Sequence, residues 1–326
     1  MRLPSLIGAA LWVAIGANGA PPFSGTIWLD PDIITEADPT AFLSMEDAGR
    51  GQRRMYDRRV NGWITENVYL FDARYDDGLS IEVQVNPEFG SVGAARKAAA
   101  TYAPVIGRIP TCLRLDVETV WLHRGNRPFG GGNNNLLIHT EQADDYVRRG
   151  ILEETFVHEA AHTSLDAEHA RAAGWLAAQD SDGEFISTYA RDNPFREDIA
   201  ETFLLYLALE HRRDRISDSL AQTIETVVPN RVAYFGAQPL DLYPITEAKP
   251  PQIQEMRLIP DGWRLSWRAR AAKRYALDIS ADLLTWSELI SPLTARGVNA
   301  FVDILESQFR LPQTGAYFRL RELPSF

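Results

Sequence analysis

His158, Glu159, Ala160, Ala161 and His162 stand in the order His-Glu-x-x-His, the arrangement in this chain best suited to do chemistry. On an α-helix, residues four apart share a face about one turn apart. Two imidazoles so placed can reach one zinc ion at a bond length of about 2.0–2.1 Å. Glu159 sits beside the first imidazole and can reach a water on the metal, which is where a general base must be. Ile151, Leu152, Thr155, Phe156, Ala160 and Leu165 roughly follow helical spacing around the motif, and the two small alanines permit close packing beside a metal.

A catalytic zinc site wants a third protein ligand and one open position. A histidine six residues after His162 could close the site locally, but that position is Glu168; His169 is out of register, and Leu165 stands where a glycine would have to turn the chain. Asp166 lies one turn further along the same helix, too far from the metal unless the helix ends early. The remaining candidates are Glu197 and Glu201, which begin 35 residues beyond His162 and share a helix face by their spacing. One of these carboxylates can bind the ion while the other holds a ligand imidazole by its second nitrogen.

With these two elements the sequence resembles the gluzincins, the thermolysin-like zinc peptidases. The run from Glu197 through Thr202 and Phe203 looks most like the lethal-factor-like branch of that clan. The resemblance covers about Ser91 to Glu210. It implies Zn²⁺ held by His158, His162 and Glu197, with Glu159 as base and Glu201 as the outer carboxylate. It also implies that Tyr189, just upstream of the ligand glutamate, faces the metal and donates to an oxyanion. Such enzymes place an edge strand above the site, where an extended substrate adds as a further strand. Leu136 to Thr140 is expected in that role, with Asn135, Leu136, Ile138 and His139 touching substrate.

The elements that would position these residues follow from pattern. Residues 20–90 read as a strand-rich first part of the catalytic domain, with turn signals at Asn61-Gly62 and Asp76-Asp77-Gly78. Val68 to Asp72 and Leu79 to Val85 alternate as hairpin strands. Residues 91–246 read as a zincin-like domain. A helix capped by Ser91 ends at Pro104 to Gly107, a strand runs from Leu113 to His123, and Gly125 to Asn135 is a loop. Glu141 to His169 is helical with a break at Gly150, and Asn193-Pro194 starts the next helix. Residues 247–252 read as a proline-rich linker, and 253–326 as short strands of a β-sandwich with a fibronectin type III-like pattern. The fold class expected is α+β: a mixed sheet with an active-site helix, then a small all-β sandwich.

Residues 1–19 read as a signal peptide, since Leu6 to Ala17 is apolar but too short to span a bilayer and small residues follow at the cleavage point. A secreted or periplasmic protein is therefore expected. Cys112 is the only cysteine and reads as a small buried apolar residue. The net charge is −11; the last 76 residues hold ten basic against eight acidic groups, so the first 250 carry −13. That charge disfavours nucleic acid as a partner. The expected partner is a peptide or protein substrate, with surface or glycan contact through the C-terminal strands. A zinc amidase of cell-envelope material uses the same activated water, and a non-enzymatic binding protein with a structural metal is the third alternative. Glu159 argues against the last, because a structural site needs no base.

Overall fold

The computed structural model describes residues 20–26, 29–248, 250–269, 273–295, 299–305, 307 and 315–323. The signal-peptide reading of residues 1–19 lies outside the described residues. Strands β1 (Phe42–Asp57), β2 (Gly62–Tyr75) and β3 (Ser80–Val85) come first, then helices α1 (Val92–Arg108) and α2 (Thr111–Arg114). Strands β4 (Thr119–His123), β5 (Gly130–Gly132) and β6 (Asn135–His139) follow. Eight helices come next: α3 (Thr140–Arg149), α4 (Leu152–Ser164), α5 (Asp166–His169), α6 (Ala173–Asp182), α7 (Thr188–Asp192), α8 (Glu197–His211), α9 (Asp218–Val227) and α10 (Pro229–Gly236). The chain ends in β7 (Ile253–Ile259), β8 (Gly262–Arg268), β9 (Arg274–Ser280), β10 (Ser287–Thr294), β11 (Asn299–Leu305) and β12 (Tyr317–Glu322).

The fold is α+β with a mixed sheet in the order β1-β2-β3-β4-β6-β5. β3, β4 and β6 run parallel, while β1, β2 and β5 pair antiparallel to their neighbours. Side-chain alternation splits the apolar residues between the two faces of this sheet. Val83, Val120, Leu122, Leu136 and Ile138 join the main core under the helices. Trp121 and Leu137 point the other way, into a small cluster with Met55, Val68 and Leu70. The β1–β2 hairpin therefore curls over the outer face of the sheet, bringing Met55 onto Trp121. The hairpin turns fall where expected: Asn61 takes a positive φ of 50°, and Gly78 one of 85°.

Several elements differ from expectation. The stretch from Leu113 to His123 is not one strand. Thr111–Arg114 forms a helical turn because Asp77 accepts hydrogen bonds from Thr111 Oγ1 at 2.6 Å and Arg114 Nη2 at 2.6 Å. Cys112 is buried on that turn, which pushes its thiol up to about 12. Pro104 lies within α1, which continues to Arg108. The Asn193-Pro194 signal belongs to the turn before α8; the helix itself starts at Glu197, whose N–H donates to Asn193 O at 2.9 Å. In the C-terminal segment two three-stranded sheets, β10-β9-β12 and β11-β8-β7, share a core of Leu265, Trp267, Tyr275, Leu277, Val302, Ile304 and Leu320.

α8 is buried along all residues from Glu197 to Ala208 and packs on α4. A helix buried on all sides must be fixed at its polar end. Arg231 does this: its side chain is fully buried and bonds Asp198 Oδ1 at 2.7 Å and Asp182 Oδ2 at 2.9 Å. Gln179 Nε2 donates to the other Asp198 oxygen at 2.7 Å. Arg231→Met strands two carboxylates without their cation and is expected to lower unfolding stability by about 3 kcal/mol. Urea unfolding measures this; a loss below about 1 kcal/mol would mean the network does not fix α8.

Candidate metal centre

α4 begins after Gly150, whose φ of 66° is a left-handed conformation that ends α3. It carries His158, Glu159 and His162, with His158 and His162 one turn apart on the face that meets α8. Glu197 opens α8 and brings its carboxylate to the same point. His162 Nε2 lies 3.2 Å from His158 Nε2 and 3.2 Å from Glu197 Oε2, and His158 Nε2 lies 3.4 Å from that oxygen. All three residues lie within reach of one ion, and they are the one such group among the described residues.

These distances test whether a metal fits. Tetrahedral coordination with bonds near 2.0–2.2 Å sets neighbouring ligand atoms about 3.3 Å apart. The observed triangle has those edges, so the three donors match one face of such a tetrahedron. The donor chemistry agrees, with two imidazole nitrogens and one carboxylate oxygen. Burial works against charge on Glu197, but hydrogen bonds and charge from His158 and His162 hold its carboxyl well below the usual range. Burial likewise opposes charge on His162, yet Asp166 and Glu197 outweigh it and raise the imidazole to about 10. A cation is wanted at this point, and a metal ion would take the place of that proton.

Asp166 is not a ligand. Its Oδ2 lies 2.9 Å from His162 Nδ1, on the side of the ring away from the triangle. It therefore fixes the tautomer that presents Nε2 inward. Thr26 Oγ1 approaches His158 Nδ1 at 3.4 Å and occupies the corresponding place for the first imidazole. The segment holding Thr26 is set down beside α7: Phe23 N donates to Ile186 O at 3.2 Å, and Thr188 N to Phe23 O at 3.0 Å.

Glu201 does not hold a ligand histidine, contrary to the role the resemblance implied. Its Oε2 accepts from Ser187 Oγ at 2.5 Å, and burial pushes its carboxyl up to about 8. Ser187 Oγ also accepts from Ala190 N at 2.9 Å and so caps α7. Glu201 thus anchors the short helix that carries Tyr189. Tyr189 is 40% exposed, and burial and the nearby Glu197 charge raise its phenol. The charges of Glu197 and Glu159 both act on this phenol, which puts Tyr189 in the neighbourhood of the triangle. Glu159 is half-buried, and no hydrogen bond engages its carboxylate among the described residues. Its charge is felt by His162, Tyr189 and Tyr146, which places it over the same cleft.

The expected substrate strand needs correction. Asn135, Leu136, Ile138 and His139 are all buried, and β6 is paired on both sides, to β4 and to β5. Asn135 Nδ2 instead ties β6 to Thr119 Oγ1 at 2.9 Å. His139 Nδ1 bonds Arg124 O at 3.0 Å, and its ring stacks on His123; burial lowers both imidazoles, His123 to about 4. Beyond β6 the edge strand of the sheet, among the described residues, is β5, the glycines 130–132 that read as loop, while β1 forms the opposite edge. A Cβ on Gly131 would lie 1.8 Å from Glu159 O, so this strand rests directly on the metal helix. Thr163 Oγ1 completes the joint, accepting from Gly132 N at 2.7 Å and donating to Asn135 O at 3.0 Å.

No protein-family model and no characterised protein sequence matches the chain. Among solved structures, aminopeptidase A of Legionella pneumophila in complex with aspartic acid aligns over 84% of this chain and 41% of that one. The identity is 10% and the TM-score 0.22, a likeness that bears on neither fold nor function. This chain spans less than half of that protein's length.

Two substitutions test the geometry. Gly131→Ala forces β5 off α4 and is expected to lower stability by about 3 kcal/mol, measured by thermal or urea unfolding. An unperturbed variant would show that the strand does not rest on the helix. Asp166→Ala is expected to weaken metal binding about 10- to 100-fold while one ion per chain still binds at saturation, as read by competition with a metal-sensitive dye. Unchanged affinity would remove Asp166 from the site.

Proposed function

We propose that this chain is a zinc-dependent hydrolase of peptide bonds, built on the gluzincin plan. The observation that carries the reading is the His158–His162–Glu197 triangle with a free carboxylate, Glu159, beside it. A cation held only for structure gains nothing from a non-ligand carboxylate, which adds repulsion without a bond. A hydrolytic site requires that group.

Zinc bound there would supply Lewis acidity, acidifying a water toward neutrality and drawing electrons from the scissile carbonyl. Glu159 takes the proton of the attacking water and later delivers it to the leaving amine. Tyr189, kept protonated by its surroundings, donates to the oxygen on which negative charge develops. Asp166 and Thr26 keep both imidazoles in the Nε2-inward tautomer through each turnover. An extended substrate lies along β5, whose unpaired edge runs beside Glu159. The C-terminal strands, fibronectin type III-like in pattern, would attach the enzyme to a surface or glycan. The apolar run at the N-terminus supports a secreted or periplasmic location.

The test is cleavage of a mixed peptide library with and without chelator, alongside metal analysis. The expected result is one zinc per chain and cleavage that chelator abolishes. Glu159→Gln should lose cleavage by at least about 10³-fold with zinc retained; residual activity near the native level would refute the base. Glu197→Ala should lose zinc, and unchanged stoichiometry would refute the third ligand.

A further inference from the structure

The β1–β2 hairpin ends in a cluster of arginines within an acidic chain. At its tip Arg59 is fully matched: it bonds Asp57 Oδ2 at 2.7 Å and Glu88 Oε2 at 2.6 Å. Asp57 is buried, and although burial opposes its charge, Arg59 holds its carboxyl down to about 2. Glu88 Oε1 accepts from Arg124 N at 2.8 Å. The carboxylates at the tip are thus spent on Arg59 and its neighbourhood. Arg58, the adjacent residue, is exposed and has neither carboxylate nor hydrogen-bond partner among the described residues. Arg54, by comparison, stacks on Trp63, and Arg53 is paired with Glu82 at 2.7 Å.

Arg58 is nevertheless placed. Because the hairpin curls over the outer face of the sheet, its guanidinium lies across Gly130 of β5. A Cβ on Gly130 would meet Arg58 Nη2 at 2.9 Å and Nε at 3.6 Å. Gly130 faces the outer side with Leu137, its partner on β6, while Gly131 faces Glu159. An unpaired cation therefore sits over the sheet edge, one residue from the backbone contact with the general base.

We propose that Arg58 reads a carboxylate side chain of the substrate, so that the enzyme prefers Asp or Glu close to the scissile bond. This rests on the hydrolase reading above. Directly paired residues on adjacent strands send their side chains to the same face, about 4.5–5.5 Å apart. A substrate residue opposite Gly130 would put its side chain on the outer face, where Arg58 already lies. The chain's overall charge of −11 repels acidic peptides, so their acceptance needs a local cation. A guanidinium offers two parallel N–H donors to a carboxylate. Arg196 is another exposed cation near the metal, but its Nε lies 3.3 Å from Glu197 Oε1 and is engaged there, while Arg127, exposed three residues before Gly130, is not among the side chains that a Cβ on Gly130 would meet.

The experiment compares extended peptides carrying one Glu, moved through every position, with their Gln twins. Cleavage by the zinc-loaded native protein is measured as kcat/KM, and binding to the Glu159→Gln protein by fluorescence anisotropy. At one position the Glu peptide is expected to be favoured roughly five- to tenfold in both readouts. Arg58→Ala should bring the ratio to about one, and Arg58→Glu should invert it in favour of the Gln peptides. Gly130→Ala, whose new methyl displaces only the end of a flexible side chain, should reduce the ratio without changing either hairpin or metal. A flat Glu:Gln ratio in the native protein, a ratio unchanged in Arg58→Glu, or one abolished by Arg196→Ala instead would overturn the proposal. The two readings fail separately. Cleavage with a flat ratio sinks the Arg58 site alone, whereas an acidic preference in binding without any cleavage sinks the hydrolase and leaves the site standing.

Discussion

Two imidazole nitrogens and a carboxylate oxygen held 3.2–3.4 Å apart in a buried place repel one another unless a positive charge lies among them. The rest of the catalytic part can be understood as the means of holding that arrangement. α4 supplies two donors through the helical repeat, at no cost beyond forming the helix. α8 supplies the third, and it must be fixed in both rotation and height to do so. The Arg231 network at Asp198, adjacent to Glu197, provides that fixation by turning the polar end of a buried helix into a multiply bonded joint. Asp166 and Thr26 then act on the rings from outside. With each Nδ1 committed, the two Nε2 atoms are the nitrogens left to converge.

The sheet contributes through closeness. β5 can approach α4 only because Gly131 has no side chain, and the same lack at Gly130 makes room for Arg58 on the opposite face. A strand of glycines is weak in itself, since it has little to pack and much entropy to lose. Here it is clamped by pairing to β6 and by Thr163, one residue beyond the second ligand histidine. α4, the sheet edge and Glu159 are thereby tied into one unit, in which movement of the strand is movement of the candidate site.

Much of this was legible in the sequence where chemistry and period coincide. The His-Glu-x-x-His spacing and the Glu197 carboxylate were readable because helical repeat and ligand type both constrain them, and the structure brings those residues together. The hairpin turns at Asn61-Gly62 and Asp76–Gly78 were readable from their backbone requirements. The identity of the edge strand was not. Leu136 to His139 carries the apolar residues of a strand, but burial on both faces goes with an interior position, while the true edge consists of glycines that read as loop. The carboxylate that bonds a triangle imidazole is Asp166, weighed from the sequence only as a metal ligand, and not Glu201, for a related reason. Spacing shows which carboxylates share a helix face, but which of them reaches a ring nitrogen depends on where α4 ends and how α7 is anchored. Thr26 and Arg58 lie some 130 and 100 residues from the motif they serve, and no local pattern connects them to it.

Glu159 and Glu201 lie one residue and four residues from members of the triangle and have different surroundings. Glu201 is enclosed, given one hydroxyl donor and no cation, so burial drives it toward the neutral form, and it serves as an anchor for α7. Glu159 is half-buried and has no hydrogen-bond partner among the described residues, so its carboxylate is not committed elsewhere in the fold. A base must be ionised before the reaction and free to receive a proton during it. On the hydrolase reading proposed above, a position one residue from His158 and in backbone contact with the glycine strand suits Glu159 to that role. The same placement puts it where an extended chain laid along β5 would carry its carbonyl groups. If the proposed hydrolase reading holds, the position of the glycine edge would set which bond lies beside Glu159, and selectivity would reside in the few residues flanking that edge.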